Sequence, residues 1–301
     1  MVPRAVIRGF VACLLVALPG IGLAQSGGTL SDSLASGPMS QANSAEVAAS
    51  IAKLSGFLQI PEILDVMRQE GISYGAGLES DMFSGKEDGS WAASVAQIYD
   101  VAQTRSRFDR AFAAALSDDP ATLAAGLDFF GSRLGKSIVG LEVSTRRAML
   151  DPAVEDGAIS VFASLKQSGA PRLAELERFA KVNDLIESNV MGALNANLAF
   201  YQGLSEGGGL QDGMTAEDMV GQVWEQEAAL RSETTDWLYP FMAMTYQPLT
   251  DAEFADYIAF SETPAGTKLN AALFQAFEAV YTDVSKNLGR AVARQLQGQD
   301  I

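Results

Sequence analysis

From Leu269 to Leu296 apolar side chains keep to one helical face: Leu269, Leu273, Phe277, Val280, Tyr281, Val284, Leu288, Val292 and Leu296. No other feature constrains the fold as strongly. At about 1.5 Å per residue, a helix over 264–297 is roughly 50 Å long, so it has to pack along much of the molecule. The same period runs through most of the chain before it. Ile51, Leu54 and Leu58 open the pattern, and Pro61 suits the first turn ahead of Ile63, Leu64, Val66 and Met67. Helices are predicted from about Trp91 to Leu116, from Pro120 to near Phe130, and around Ile138, Leu141 and Met149. A long one is predicted from Arg172 to about Leu204, and another over Val223, Trp224 and Leu230 that Pro240 should kink or end. Ser80–Ser90, Asp151–Gly157, Ser168–Pro171 and Gly207–Gly209 read as connections. No run alternates as a strand would, so the expected fold is all-α, a multi-helix bundle.

The joint ahead of the long helix has its own local logic. Thr250 suits an N-cap with Glu253 as its reciprocal partner, opening a short helix through Phe254, Tyr257, Ile258 and Phe260. Thr263 suits the next N-cap, Pro264 the first helical position, and Gly266 a point where another backbone comes close. Thr215 and Asp218 form a similar capping box, with Asp in place of the usual Glu. A second copy of the joint is expected upstream, indicating an internal duplication. Leu116-Ser-Asp opens it as Leu249-Thr-Asp opens the first, and Phe129 precedes Gly135 as Phe260 precedes Gly266, with two extra residues after the upstream opening. A weaker match pairs Leu58–Leu64 with Ala180–Ile186. Two related helical halves, 43–150 and 172–301, are therefore expected to pack together, joined by a connection over 151–171.

The stretch "LTDAEFADYIAFSETPAGTKLNAAL" resembles the closing signature of the exported bacterial family catalogued as domain of unknown function 2059. That signature is a capped acidic helix, then Phe, two residues, Ser/Thr-Pro-x-Gly and a long helix, here Phe260, Thr263, Pro264 and Gly266. Residues 51–67 look like that family's opening helix pair. In the upstream copy Ser132 keeps the cap, while Arg133 stands where the proline would be. The resemblance implies an all-helical envelope protein and carries no catalytic residues to transfer.

The N-terminus reads as an export signal over 1–24. Arg4 and Arg8 form a basic region, Phe10–Leu18 a short apolar run, and Gly22-Leu-Ala24 the small residues before a cleavage point between Ala24 and Gln25. Residues 25–42 are rich in Ser and Gly without periodicity and read as a disordered lead. A periplasmic or secreted protein of a Gram-negative bacterium is expected, with no membrane span after the signal is removed. Cys13, the sole cysteine, leaves with that signal, and the chain has no histidine. Disulfides, Cys/His zinc sites, a cysteine nucleophile and a Ser-His-Asp triad are thereby excluded from the mature protein. With 37 acidic and 21 basic residues the surface repels phosphate backbones, so no nucleic-acid partner is expected.

Each suggestive motif has a plainer account. Gly131–Ser137 misses the phosphate-loop spacing, because Phe130 stands where the first glycine belongs. Asp151–Gly157 gathers three carboxylates, yet a calcium loop needs glycine at the position of Asp156. Glu217, Asp218, Glu225, Glu227, Glu233 and Asp236 crowd one segment but scatter around it as a solvated face. Trp91, Trp224 and Trp237, with Tyr99, Tyr239, Tyr246 and Tyr257, read as core, or alternatively as a groove for an apolar ligand or partner helix. No catalytic, cofactor or metal-binding residue is assigned. The expected function is non-catalytic binding of a protein or apolar ligand in the envelope. The alternatives are a carboxylate-dependent hydrolase without histidine and a periplasmic chaperone-like assembly factor.

Overall fold

The apolar stripe that begins at Leu269 folds as a single helix of 33 residues, Pro264–Leu296. The computed structural model describes residues 38–83, 89–210 and 214–298. In chain order the helices are α1 (Pro38–Phe57), α2 (Ile60–Met82), α3 (Ser90–Ile98), α4 (Val101–Leu116), α5 (Pro120–Gly131), α6 (Arg133–Ala148) and α7 (Pro152–Ser168). They continue as α8 (Pro171–Val182), α9 (Leu185–Glu206), α10 (Ala216–Trp224), α11 (Glu227–Thr245), α12 (Asp251–Ser261) and α13 (Pro264–Leu296). No strand occurs among the described residues, and the protein is an all-α bundle.

The helix order repeats, and the repeat can be read at its joints. Between α1 and α2, Gln59 has φ 49° and ψ 39°; between α8 and α9, Asp184 has φ 46° and ψ 35°. Both are non-glycine residues in the left-handed region, each opening a helix without a side-chain cap. α3 and α10 each have 9 residues and are followed by the short breaks Tyr99-Asp100 and Glu225-Gln226. Asp119 caps α5 and Thr250 caps α12; Ser132 caps α6 and Thr263 caps α13. The run α6–α7 stands opposite the uninterrupted α13.

The registers differ from those read in the sequence. Aligned on the caps Asp119 and Thr250, Phe129 and Phe260 fall at the same position, so no extra residues are needed after the upstream opening. Gln59 pairs with Asp184, which shifts the match of 58–64 by three residues from the one starting at Ala180. Other expectations are corrected as well. Of the disordered lead expected over 25–42, residues 25–37 lie outside the described ones, while 38–42 belong to α1, which begins at Pro38. Asp151–Gly157 is no turn: Asp151 accepts from the Ala153 amide as N-cap of α7, which fills most of the connection expected over 151–171. The long helices predicted over 91–116 and 172–204, and across Trp224 and Leu230, are each broken once. Pro240 neither ends nor interrupts α11. The signal 1–24 and its cleavage point at Ala24 and Gln25 lie outside the described residues.

The two halves share one core. A single apolar cluster runs from Ile51 to Val292, with a smaller one of Val190, Ala193, Leu194, Val223 and Leu230 beside it. α13 lies along α9 and also packs on α3, α4 and α5 of the other half, while α7 and α6 pack on α11. The contact of α9 with α13 is backbone to backbone. A Cβ on Gly203 would sit 2.0 Å from the Lys286 carbonyl oxygen, and one on Gly289 would sit 2.1 Å from that of Phe200. Only glycine permits that approach. Among the described residues no single helix is long and apolar enough to cross a membrane; one bent pair, Ser44–Phe57 with Ile60–Met82, meets the length and composition at a 56° bend.

Candidate functional site

The joint singled out in the sequence lies where the halves meet. The Thr263 hydroxyl accepts from the Gly266 amide at 2.9 Å and donates to the Phe260 carbonyl at 2.7 Å, so one side chain closes α12 and opens α13. Upstream, the Ser132 hydroxyl accepts from the Gly135 amide at 3.0 Å. Gly266 is needed for the sharp turn: its Cβ would lie 2.1 Å from the Phe260 carbonyl oxygen, as that of Gly135 would lie 2.2 Å from Phe129's. The close backbone is that of the preceding helix, not of a distant one. Thr250 and Glu253 form the reciprocal capping box, the Glu253 carboxylate accepting from the Thr250 amide at 3.0 Å. Those hydrogen bonds hold the exposed Glu253 carboxyl below its ordinary value.

The two equivalent phenylalanines then meet face to face. Phe129 and Phe260 stack with centroids 4.1 Å apart and planes 9° apart, and both remain half-buried. They border a shallow groove of about 690 Å³ between α5 and the α12–α13 joint, walled by Ala121, Ala125, Pro264 and Ala265. Its rim is bridged by Lys268, whose ammonium donates to Asp119 at 2.5 Å. That hydrogen bond, helped by the Thr122 amide, brings the Asp119 carboxyl down to about 2. The wall is apolar and the rim charged.

Behind the groove lies a polar centre that sequence reasoning missed. Glu142, projecting from α6, accepts hydrogen bonds through Oε1 from the Tyr246 hydroxyl at 2.8 Å and the Tyr257 hydroxyl at 3.1 Å. Both tyrosines are buried and belong to the second half. Burial pushes the Glu142 carboxyl up to about 7, although the two phenol hydrogen bonds pull the other way. Burial and the nearby carboxylate raise both phenols well above their ordinary value. Around them Phe179 and Phe129 pack on Tyr257, Phe254 stacks on Tyr246, and the Arg172 guanidinium lies 5.0 Å from the Phe254 ring centre. A usable signal was present in the repeat: Leu273 stands at Glu142's position in the second half, so Glu142 is the polar exception.

The remaining candidates do not assemble into a site. Glu217, Asp218 and Glu225 are exposed, Asp218 serving the α10 cap and Glu227 pairing with Arg231 on its own helix. Glu155 and Asp156 ride on α7, and no group of three acids, histidines or cysteines able to hold a metal occurs among the described residues. Lys136 of the phosphate-loop lookalike lies 5.2 Å from the Phe57 ring centre. The tryptophans do not line one groove. Trp91 is buried and donates to the Gly75 carbonyl, Trp237 stacks on Phe241, and Trp224 is exposed. No protein-family model matches this chain, and neither does any curated protein or solved structure.

Proposed function

We propose that this protein is a non-catalytic, exported helical protein of the bacterial envelope that binds an apolar segment of a partner polypeptide. The groove at the seam, with its stacked and half-exposed Phe129 and Phe260, carries this reading. Paired aromatic faces with small residues around them offer contact area at low side-chain entropy cost, as anchor sites in protein interfaces do. The basic and apolar N-terminal segment supports export, and the Phe260, Thr263, Pro264 and Gly266 pattern supports kinship with the family of domain of unknown function 2059. The hydrolase alternative asks for two acids with shifted pKa values in one cleft. The half-buried Glu142 faces two phenols rather than a second carboxyl.

A photo-crosslinking residue at Ala125 in the groove tests the reading, with one at exposed Lys181 as the control. Crosslinks from Ala125 to a defined peptide segment, lost in Phe260→Ser and absent from Lys181, are the expected result. Equal crosslinking from both positions, or none from Ala125, overturns it. Native mass spectrometry of protein taken from its own envelope gives the mature N-terminus and the stoichiometry of the same complex.

A further inference from the structure

A second cavity lies away from the groove, between α3, the start of α4 and the last third of α13. It encloses about 320 Å³, within the range of small-molecule sites. Its floor is apolar, made by Ile98, Val280 and Ala291, and its rim is polar. Arg107 and Asp283 face each other across it at 2.8 Å and neutralise one another. The other cationic wall residue, the exposed Arg294, has no carboxylate partner among the described residues, and Gln97 and Gln103 add side-chain amides. The Asn287 carbonyl already accepts from Arg290 at 3.1 Å, which leaves its amide as a donor. The wall therefore offers a surplus of donors and one positive charge on a strongly acidic protein.

The other half shows that the fold does not require this chemistry. On α10 and α11 the positions of Ser94, Gln97, Thr104 and Arg107 hold Val220, Val223, Leu230 and Glu233. Arg294 corresponds to Ala163 on α7. A corner that one half builds with three apolar side chains and an acid carries donors and an arginine in the other. We infer that this cavity binds a small organic carboxylate bearing hydroxyl or amino groups. Arg294 takes the carboxylate through its planar fork, and Gln97, Gln103 and Asn287 pair with the remaining polar groups.

Calorimetric titration of the full chain with L-malate, and separately with L-glutamate, tests the assignment. Saturable one-site binding is expected for at least one of them. Arg294→Gln should weaken it about tenfold or more, the loss expected of a charge-assisted pair, with the ligand-free melting temperature unchanged. Gln97→Glu, which adds a carboxylate to the rim, should abolish binding in a protein that still melts normally. Arg178→Gln removes an exposed charge outside the cavity and should leave the affinity as it was. Absence of saturable binding at millimolar concentration overturns the inference, and so does an equal loss in Arg178→Gln. Inorganic phosphate binding as tightly as either acid overturns the carboxylate assignment and leaves a generic anion site. None of these readouts involves the seam groove, so this site and the proposed docking of a polypeptide stand or fall separately.

Discussion

The first half interrupts its last helix and the second does not. α6 stops at Ala148 and α7 restarts behind the Asp151 cap with Pro152 in its first turn, whereas α13 runs unbroken from Pro264 to Leu296. The contrast is steric. Gly203 and Gly289 let α13 lie directly on α9, while the matching positions on α2 and α7 hold Leu78 and Ala158. With side chains in the way, α7 departs to pack on α11 instead. The contents differ as much as the frames agree. Glu142 and Tyr257 of the buried polar centre stand opposite Leu273 and Gly126. A shared set of caps and breaks fixes the helix order, and the residues between them decide what each half holds.

The largest expected effect comes from refusing the close approach. Gly289→Leu should cost about 3 kcal/mol or more, because the clash is with Phe200 backbone and no rotamer relieves it. Chemical denaturation followed by circular dichroism measures this; a loss below 1 kcal/mol, roughly the cost of a surface change, would remove the steric explanation of the unbroken helix. Gly135→Ala and Gly266→Ala challenge the equivalence of the joints. Each should cost about 2 kcal/mol, and the two losses should match. Clearly unequal losses would mean that only one joint supports the core.

Glu142→Gln sharpens the difference in content through pH. An ordinary carboxyl near 4.5 is raised to about 7 in the folded protein, so both states are protonated below pH 4.5 and bind protons equally. Between about pH 4.5 and 7 the unfolded chain ionises first, and native stability falls as pH rises. It stays low above pH 7. Allowing for the residue's partial exposure, the wild-type loss is about 2 kcal/mol. The Gln variant keeps an acceptor for both phenols and should lose that slope, melting higher than wild type at pH 8. Denaturant midpoints across pH 4–9 report it, and an unchanged slope would exclude Glu142 as its source. Smaller still, Ser132→Ala and Thr263→Ala should each cost about 1 kcal/mol as lost caps. Lys268→Ala at the exposed groove rim should cost less than about 1 kcal/mol.

Much of the frame was legible because caps are written locally. Thr215, Thr250, Thr263 and Pro264 bond or fit within three residues of themselves, so spacing alone identifies them. The breaks at Gln59 and Asp184 were not identified, since neither residue is a glycine or proline, although both take a positive φ. Asp151-Pro152 was misread although it carries a cap followed by a first-turn proline; the nearby acids and Gly157 suggested a turn instead. Pro240 remains inside α11, where tertiary contacts keep the helix going past the missing amide. At the groove, Phe260 and its joint were visible, but its stacking on Phe129 joins residues more than a hundred positions apart. Glu142 was hidden for the same reason, because its partners lie on helices of the other half.

The position of α13 in the chain also sets a timetable. Every helix it packs against precedes it, including α3, α4 and α5 in the opposite half. As the chain emerges, the faces that α13 covers in both halves stay open until it arrives, however much local helix has already formed. The order of emergence therefore defers burial rather than accumulating it. The halves meet along a helix that is made after the rest of both of them.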